Sequence, residues 1–147
     1  MKAYDDVERG GATIEFLAVS VILLVPIVYL ILTFSTVQAA TYAAESAARE
    51  SVRIYARASD DFTAARHAQQ ATQLAFSDHG IQVALPQALK VRCEHSPCLT
   101  PGGGVQVEVS HNVALPLVPD FLAELPWSSI TVVGHAYVTV DRFKDQP

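Results

Sequence analysis

The sequence predicts an α+β protein, in which a long N-terminal helix crosses a membrane and continues beyond it, a second helix follows, and a small antiparallel β-sheet ends the chain. Three observations lead to this prediction. A run of nineteen uncharged residues lies near the N-terminus. An alanine-rich stretch without glycine or proline follows that run. Beyond Gly80 the spacing of the apolar residues shortens from a helical period to an alternating, strand-like one.

The uncharged run extends from Phe16 to Phe34. At a rise of ~1.5 Å per residue it is roughly 28 Å long, close to the ~30 Å hydrocarbon core of a bilayer. A buried helix of a soluble protein usually keeps a polar stripe, and the few interruptions of this run (Ser20, Pro26 and Thr33) do not form one. We therefore expect a transmembrane helix over residues 11–37, with Pro26 tolerated inside it as a kink.

A cleavable secretory signal is the first alternative for this segment. The residues V-Q-A at 37–39 have the small side chains of a signal-peptidase site. However, the apolar run is longer than the ~7–15 residues usual in such signals, and the segment before it is not basic. Both features favour a retained membrane anchor.

Residues 38–80 are predicted to form a helical stem and a second helix, because alanine is the best helix former. Glu45 and Arg49 lie one helical turn apart in the favourable order for an ion pair. Small side chains recur at every fourth position of the stem, at Ala40, Ala44, Ala48 and Val52. Such a stripe allows another helix to approach closely, and the alternative is a solvated stem that needs no partner.

The second helix is predicted to run from about Phe62 to Ser77. The polar cluster at 59–61 supplies N-capping side chains, and Gly80 is a natural C-cap. Its expected inner face consists of Ala64, Ala68, Ala71 and Ala75.

Residues 81–147 are predicted to form a small β-rich domain. Alternating or short apolar segments predict strands at 82–85, 88–93, 105–109 and 131–140. The glycines at 102–104 indicate a turn. The proline-rich connection at 115–127 is apolar enough to pack over a sheet.

Two cysteines, Cys93 and Cys98, enclose the sequence C-E-H-S-P-C. A disulfide between them would close a short turn, contribute about 2 kcal/mol through loop entropy, and indicate an oxidising compartment. Free thiols are one alternative. A metal site completed by Glu94 and His95 is another, although structural zinc sites usually take their ligands from two separated pairs.

The sequence gives little indication of catalysis. Its five histidines are scattered, and no nucleophile or metalloprotease motif accompanies them. The glycine run lacks the lysine and hydroxyl residue that end a phosphate loop. The net charge is −5, without a basic patch for nucleic acid. We therefore expect no enzyme, no catalytic residue, no metal or cofactor, and no nucleic-acid partner.

The stretch R-G-G-A-T-I-E-F-L at 9–17 places a glutamate at the head of the apolar run, shortly after two glycines. This arrangement resembles the signal of type IV prepilins, which a membrane peptidase cuts after the glycine and in which glutamate is the fifth mature residue. A cut after Gly10 makes Glu15 fifth, whereas a cut after Gly11 makes it fourth. The resemblance implies a leader of residues 1–10, with Gly10, Gly11 and Glu15 as the processing residues.

The segment A-T-I-E-F-L-A-V is similar to the N-terminal segment of TadE-type minor pilins of the tight-adherence (Flp) pilus system. The resemblance is close over residues 9–20 and loose over the whole chain. Pseudopilins of the general secretion pathway instead typically begin with phenylalanine after the cut. The resemblance implies a single-pass protein of the bacterial membrane, with a cytoplasmic N-terminus and an extracytoplasmic C-terminal domain. Its implied partners are a prepilin peptidase and other pilin or pseudopilin subunits, and its implied role is structural. The alternative is a membrane-anchored extracytoplasmic enzyme or ligand-binding domain with no pilus role.

Overall fold

The computed structural model describes residues 5–119, 121, 123 and 125–143, with side chains from Gly11 onward. Its elements are the helices α1 (Asp5–Arg57) and α2 (Asp61–Ser77) and the strands β1 (Leu89–Cys93), β2 (Gly104–Ala114) and β3 (Ser129–Thr139). The predicted α+β fold and its order of elements are confirmed. The chain divides into two compact units, one up to Ser35 and one from Thr36 onward. Residues 1–4 of the expected leader lie outside the described residues.

The apolar part of α1 has exposed side chains along its length. Ile22 is 74% exposed, and even Val28, among the least exposed of its large apolar residues, is 43% exposed. Pro26 lies inside the helix, which continues past it to Arg57. Within the described residues, this is the one helix long and apolar enough to cross a membrane. A single membrane anchor is consistent with that finding, because exposed apolar surface is unfavourable in water.

The alanine-rich part of α1 forms half of the core of the second unit. Ala40, Ala44, Ala48 and Val52 are all at most 2% exposed. A Cβ atom built on Gly134 of β3 would overlap the backbone of Ala44, so helix and sheet are in direct contact. The stripe is thus a packing surface, covered by the chain's own sheet and by α2, and the solvated-stem alternative is wrong. On the outer face, the predicted pair between Arg49 and Glu45 is present at 3.2 Å.

The N-cap of α2 agrees with the prediction, but the C-cap is Asp78 in place of the expected Gly80, and the inner face also differs. The side chain of Asp60 accepts a hydrogen bond from the backbone N–H of Thr63 at 2.8 Å, and Gly80 has φ 70° after the helix end. The buried residues are Ala64, Ala68, Thr72 and Phe76, in place of the expected Ala64, Ala68, Ala71 and Ala75. Thr72 is buried because its hydroxyl lies 2.9 Å from the Ser51 hydroxyl of α1, and a polar group that is hydrogen-bonded can enter a core.

The sheet is antiparallel with the order β1-β2-β3. Val105, Val107 and Val109 of β2 are fully buried on its core side. Three of the four predicted strands are confirmed, with β2 extending to Ala114. The predicted strand at 82–85 is wrong. Ile81 and Val83 pack partly buried against the core, but residues 82–85 are not paired with any strand of the described sheet.

The connection between β2 and β3 does not pack over the sheet, contrary to the expectation. Leu117 is 78% exposed, Phe121 82% and Trp127 57%. Its base is closed by a hydrogen bond from the Leu115 N–H to the Ser128 carbonyl at 2.9 Å. The apolar face of the sheet is already covered by the helices, so this connection has no apolar surface left to cover.

Candidate functional site

The head of the apolar helix holds the residues expected at a processing site. Gly10, Gly11 and Glu15 all lie within α1. A Cβ atom built on Gly11 would meet nothing within 4 Å, and the side chain of Glu15 is exposed. Residues four apart share one helix face, separated by ~6 Å along the axis. Gly11 and Glu15 therefore present one accessible face at the start of the run.

Glu15 is the only charged residue between Gly11 and Ala44 in the sequence. Among the described side chains, the ion pairs join Arg49 to Glu45 and Lys90 to Glu108, so neither includes Glu15. A carboxylate in a membrane helix costs up to about 3 kcal/mol at mid-bilayer and less near the interface, and such groups usually have a cationic or hydrogen-bonding partner. The carboxylate of Glu15 is thus exposed and takes part in neither of these ion pairs.

The Cys93–Cys98 disulfide is present in the structure, with a Cα–Cα distance of 5.2 Å. The residue after Cys93 fixes the loop to the sheet: the Glu94 carboxylate accepts hydrogen bonds from the Gly104 N–H at 3.0 Å and from the Tyr137 hydroxyl at 3.3 Å. At the other cysteine, the Cys98 N–H donates to the Asp61 carboxylate at 3.4 Å. The loop therefore links the sheet to the first turn of α2.

Two titratable side chains, His111 and Tyr55, pack in or against the core. The His111 ring lies 5.2 Å from the Phe76 ring, centroid to centroid, and burial lowers the pKa of His111. Burial raises the pKa of Tyr55, and the nearby Asp61 raises it further. The described residues contain no group of three potential metal ligands, and Glu94 is engaged by Gly104 and Tyr137 instead.

An open groove of about 830 Å³ lies between the outer faces of α1 and α2. Its lining includes Arg49, Glu50, Arg53, His67 and Leu74. Charges of both signs are interleaved there with exposed apolar surface. It is the feature that a ligand-binding role would use.

Sequence reasoning missed two contacts that position these elements. The Ser51–Thr72 hydroxyl pair joins α1 to α2, and nothing in the local pattern marks it. The contact at Gly134 could have been predicted, because an isolated glycine within a strand often marks the close approach of another backbone.

In the part of the chain that the structure describes, one apolar helix is able to cross a membrane, and it is followed by an α+β unit with a disulfide loop. Comparisons with protein-family models, curated proteins and solved structures gave no match.

Proposed function

We propose that the chain is a TadE-like minor pilin or pseudopilin, a structural or assembly component of a tight-adherence pilus. It is anchored in the bacterial membrane by α1, with its N-terminus in the cytoplasm and its α+β unit outside. One observation carries the proposal: Glu15, the lone charge of a long apolar segment, is exposed one turn after Gly11 at the head of the helix. This role is structural, and the chain is not an enzyme.

Cleavage by a prepilin peptidase gives Glu15 its cationic partner. A cut after Gly10 removes Arg9 and creates a new amino group on Gly11. In an assembled fibre, the amine of one subunit meets Glu15 of its neighbour, and the local alternative is the amine of the same chain. Opposite charges attract strongly where the dielectric constant is low. This attraction offsets the cost of placing the carboxylate in an apolar environment and fixes the register of neighbouring helices.

The Cys93–Cys98 disulfide supports the orientation. Disulfides persist in oxidising compartments outside the cytoplasm, and the loop lies in the unit that follows the apolar helix. This location of the disulfide supports export of the C-terminal side of the helix.

The Glu15→Leu substitution tests the assembly role. We expect membrane insertion and cleavage to stay largely intact, because the helix becomes more apolar and the scissile glycines are unchanged. The variant should be strongly depleted from filaments sheared off the cell surface. Ser20→Leu, which also makes the run more apolar, serves as the matched control and should be incorporated normally. Normal incorporation of Glu15→Leu would show that Glu15 is only an interfacial residue.

The competing function is a membrane-anchored extracytoplasmic enzyme or ligand-binding domain. The groove between α1 and α2 would be its site. Gene neighbourhood separates the two functions: a secretion ATPase, a prepilin peptidase and short Flp-like pilins nearby favour the pilus role, and their absence favours the competitor.

A further inference from the structure

Strand β3 lies at the edge of the sheet, with β2 on one side of it. The 11 residues of β3 pair with consecutive residues of β2, so no bulge interrupts the strand. Within the part of the chain that the structure describes, no strand and no backbone hydrogen bond covers its other side, which we call the free edge of β3. An edge of this kind presents a row of unpaired N–H and C=O groups.

The hydrogen bonds at the two ends of β3 show which groups the free edge presents. Just before the strand, the Ser128 carbonyl accepts a hydrogen bond from the Leu115 N–H. Just after it, the Val140 N–H donates to the Gly103 carbonyl. Residues of an antiparallel strand bond alternately toward the partner strand and away from it. The even-numbered residues of β3 therefore bond to β2, and the odd-numbered residues direct their N–H and C=O groups outward.

The free edge lacks the features that usually protect an edge strand. Residues 129–139 contain no lysine, arginine, aspartate, glutamate or proline, although charged side chains, prolines and bulges are the usual means of preventing edge-to-edge pairing. The other edge strand, β1, has only 5 residues, and Lys90 and Arg92 are exposed on it. Because one edge is protected and the other is not, we interpret the free edge of β3 as a pairing surface.

The side chains beside the free edge favour an uncharged partner strand. On the outer face of the sheet, Val133 is 40% exposed and Tyr137 is 60% exposed. Thr131 is exposed on the same face. β-branched and aromatic side chains stabilise one another across adjacent strands. A strand added at this edge would therefore place valine, threonine or aromatic side chains beside them.

A second copy of the chain fits this edge poorly. The backbone of Ala44 in α1 lies directly against Gly134 of β3, so α1 covers the core side of this edge strand. Paired strands lie ~4.8 Å apart, whereas packed helices need about 8–10 Å between their axes. Two copies joined antiparallel through β3 would keep both α1 helices on the same side of the sheet and bring them into overlap. An extended peptide without a helix on that side avoids the overlap.

We propose that the free edge of β3 binds an extended, uncharged peptide segment of a partner protein, which continues the sheet as an added strand. Backbone hydrogen bonds to the odd-numbered residues supply the affinity, as in other complexes formed by strand addition. Val133 and Tyr137 favour β-branched or aromatic side chains in the bound segment. The contact lies within the unit from Thr36 onward and is independent of the pilus role.

Amide hydrogen exchange of the full chain in detergent micelles tests the proposal. The probe is a short peptide of alternating valine and threonine, blocked at both ends and N-methylated at alternate residues so that it pairs along one edge only. Without the peptide, the amides of Val133, His135 and Tyr137 should exchange rapidly and those of the even-numbered residues slowly. With the peptide, exchange at the odd-numbered residues should slow by about tenfold or more, and the even-numbered residues should change little.

A matched pair of variants separates strand addition from other binding. Val133→Pro removes one outward N–H and leaves the bonds to β2 in place, because proline is tolerated on the open side of an edge strand. It should weaken binding of the fluorescently labelled peptide roughly tenfold, the effect of losing about one hydrogen bond. Val133→Thr keeps the N–H and should bind as wild type does.

Three results would overturn the proposal. The first is slow exchange of the odd-numbered amides without peptide, or no change when it is added. The second is equal binding of a peptide that is N-methylated at every residue, since such a peptide cannot pair along either edge. The third is protection of the odd-numbered amides that disappears on dilution of the protein, because the edge would then pair with a second copy.

Discussion

Single small residues determine how closely the elements of the second unit approach each other. The backbone of β3 contacts that of α1 because position 134 has no Cβ, and an added Cβ would overlap the Ala44 carbonyl group. About two turns farther along α1, Ser51 is fully buried and its hydroxyl donates to the Ala68 carbonyl at 3.0 Å. Both contacts depend on a small residue, glycine at position 134 and serine at position 51.

Gly134→Ala should destabilise the second unit by about 1–3 kcal/mol, the usual cost of overpacking a close contact. The added methyl group forces α1 and β3 apart, because the atoms it meets belong to the backbone. Thermal unfolding of the full chain in detergent measures the effect. The neighbouring exposed substitution His135→Ala should change stability by no more than about 0.5 kcal/mol. Equal melting temperatures for the two variants would contradict the close contact.

His111 should make stability fall on acidification. Burial against Phe76 lowers its folded pKa below the unfolded value of about 6.5. The unfolded chain then binds the proton more readily, so this contribution is present above the unfolded pKa and is lost as pH falls through the folded pKa. Between about pH 7 and 5 the melting temperature of wild type should fall more than that of His111→Gln. Parallel curves would show that His111 does not titrate differently on folding.

At the scale of elements, the N-terminus of α2 depends on one carboxylate. The backbone hydrogen bond from Thr63 is the main cause that lowers the pKa of Asp60, and the Thr63 and Ser59 side chains contribute. An anion at this position also interacts favourably with the helix dipole. The cap joins α1 to α2 across a turn of only three residues.

Asp60→Asn should remove the pH dependence of this cap while keeping a hydrogen-bond acceptor. The folded pKa of Asp60 is lowered, so the extra stability of the carboxylate is present above the unfolded value of about 3.9 and is lost as pH falls through the folded value. The difference in melting temperature between wild type and Asp60→Asn should therefore shrink as pH falls from neutral toward 3. A difference that stays constant would mean that Asp60 caps α2 without using its charge.

Elements whose residues follow a local apolar pattern were predictable from the sequence. Features that depend on contacts with residues remote in the sequence were not. The apolar run and the alanine stripe predicted α1, and the alternation of β1, β2 and β3 predicted the sheet. The inner face of α2 was predicted wrongly because the burial of Thr72 depends on Ser51, which is remote in sequence. The connection at 115–127 was predicted to cover a sheet whose apolar face α1 and α2 already cover. The glycine–glutamate pattern is also local, and its role as a processing signal stays a prediction.

At the scale of the whole molecule, the disulfide loop reports on which side of the membrane the second unit lies. If that unit is exported, thiol reagents applied to intact cells without reductant should label neither Cys93 nor Cys98. Replacing both by serine should lower stability by about 2 kcal/mol, from the entropy of the short loop. Labelling only after reduction is the expected control. Rapid labelling of both in unreduced protein would contradict the disulfide and the proposed topology.

The mature N-terminus tests the central claim most directly, because cleavage after Gly10 is what separates a pilin-like subunit from an ordinary membrane-anchored protein. Mass spectrometry of the membrane-bound chain, from cells with the matching peptidase, should find Gly11 as the first residue. Gly10→Val should leave the full-length precursor in the membrane. A wild-type chain that still begins at Met1, or one that begins at Ala40 after removal of a secretory signal, would contradict the account.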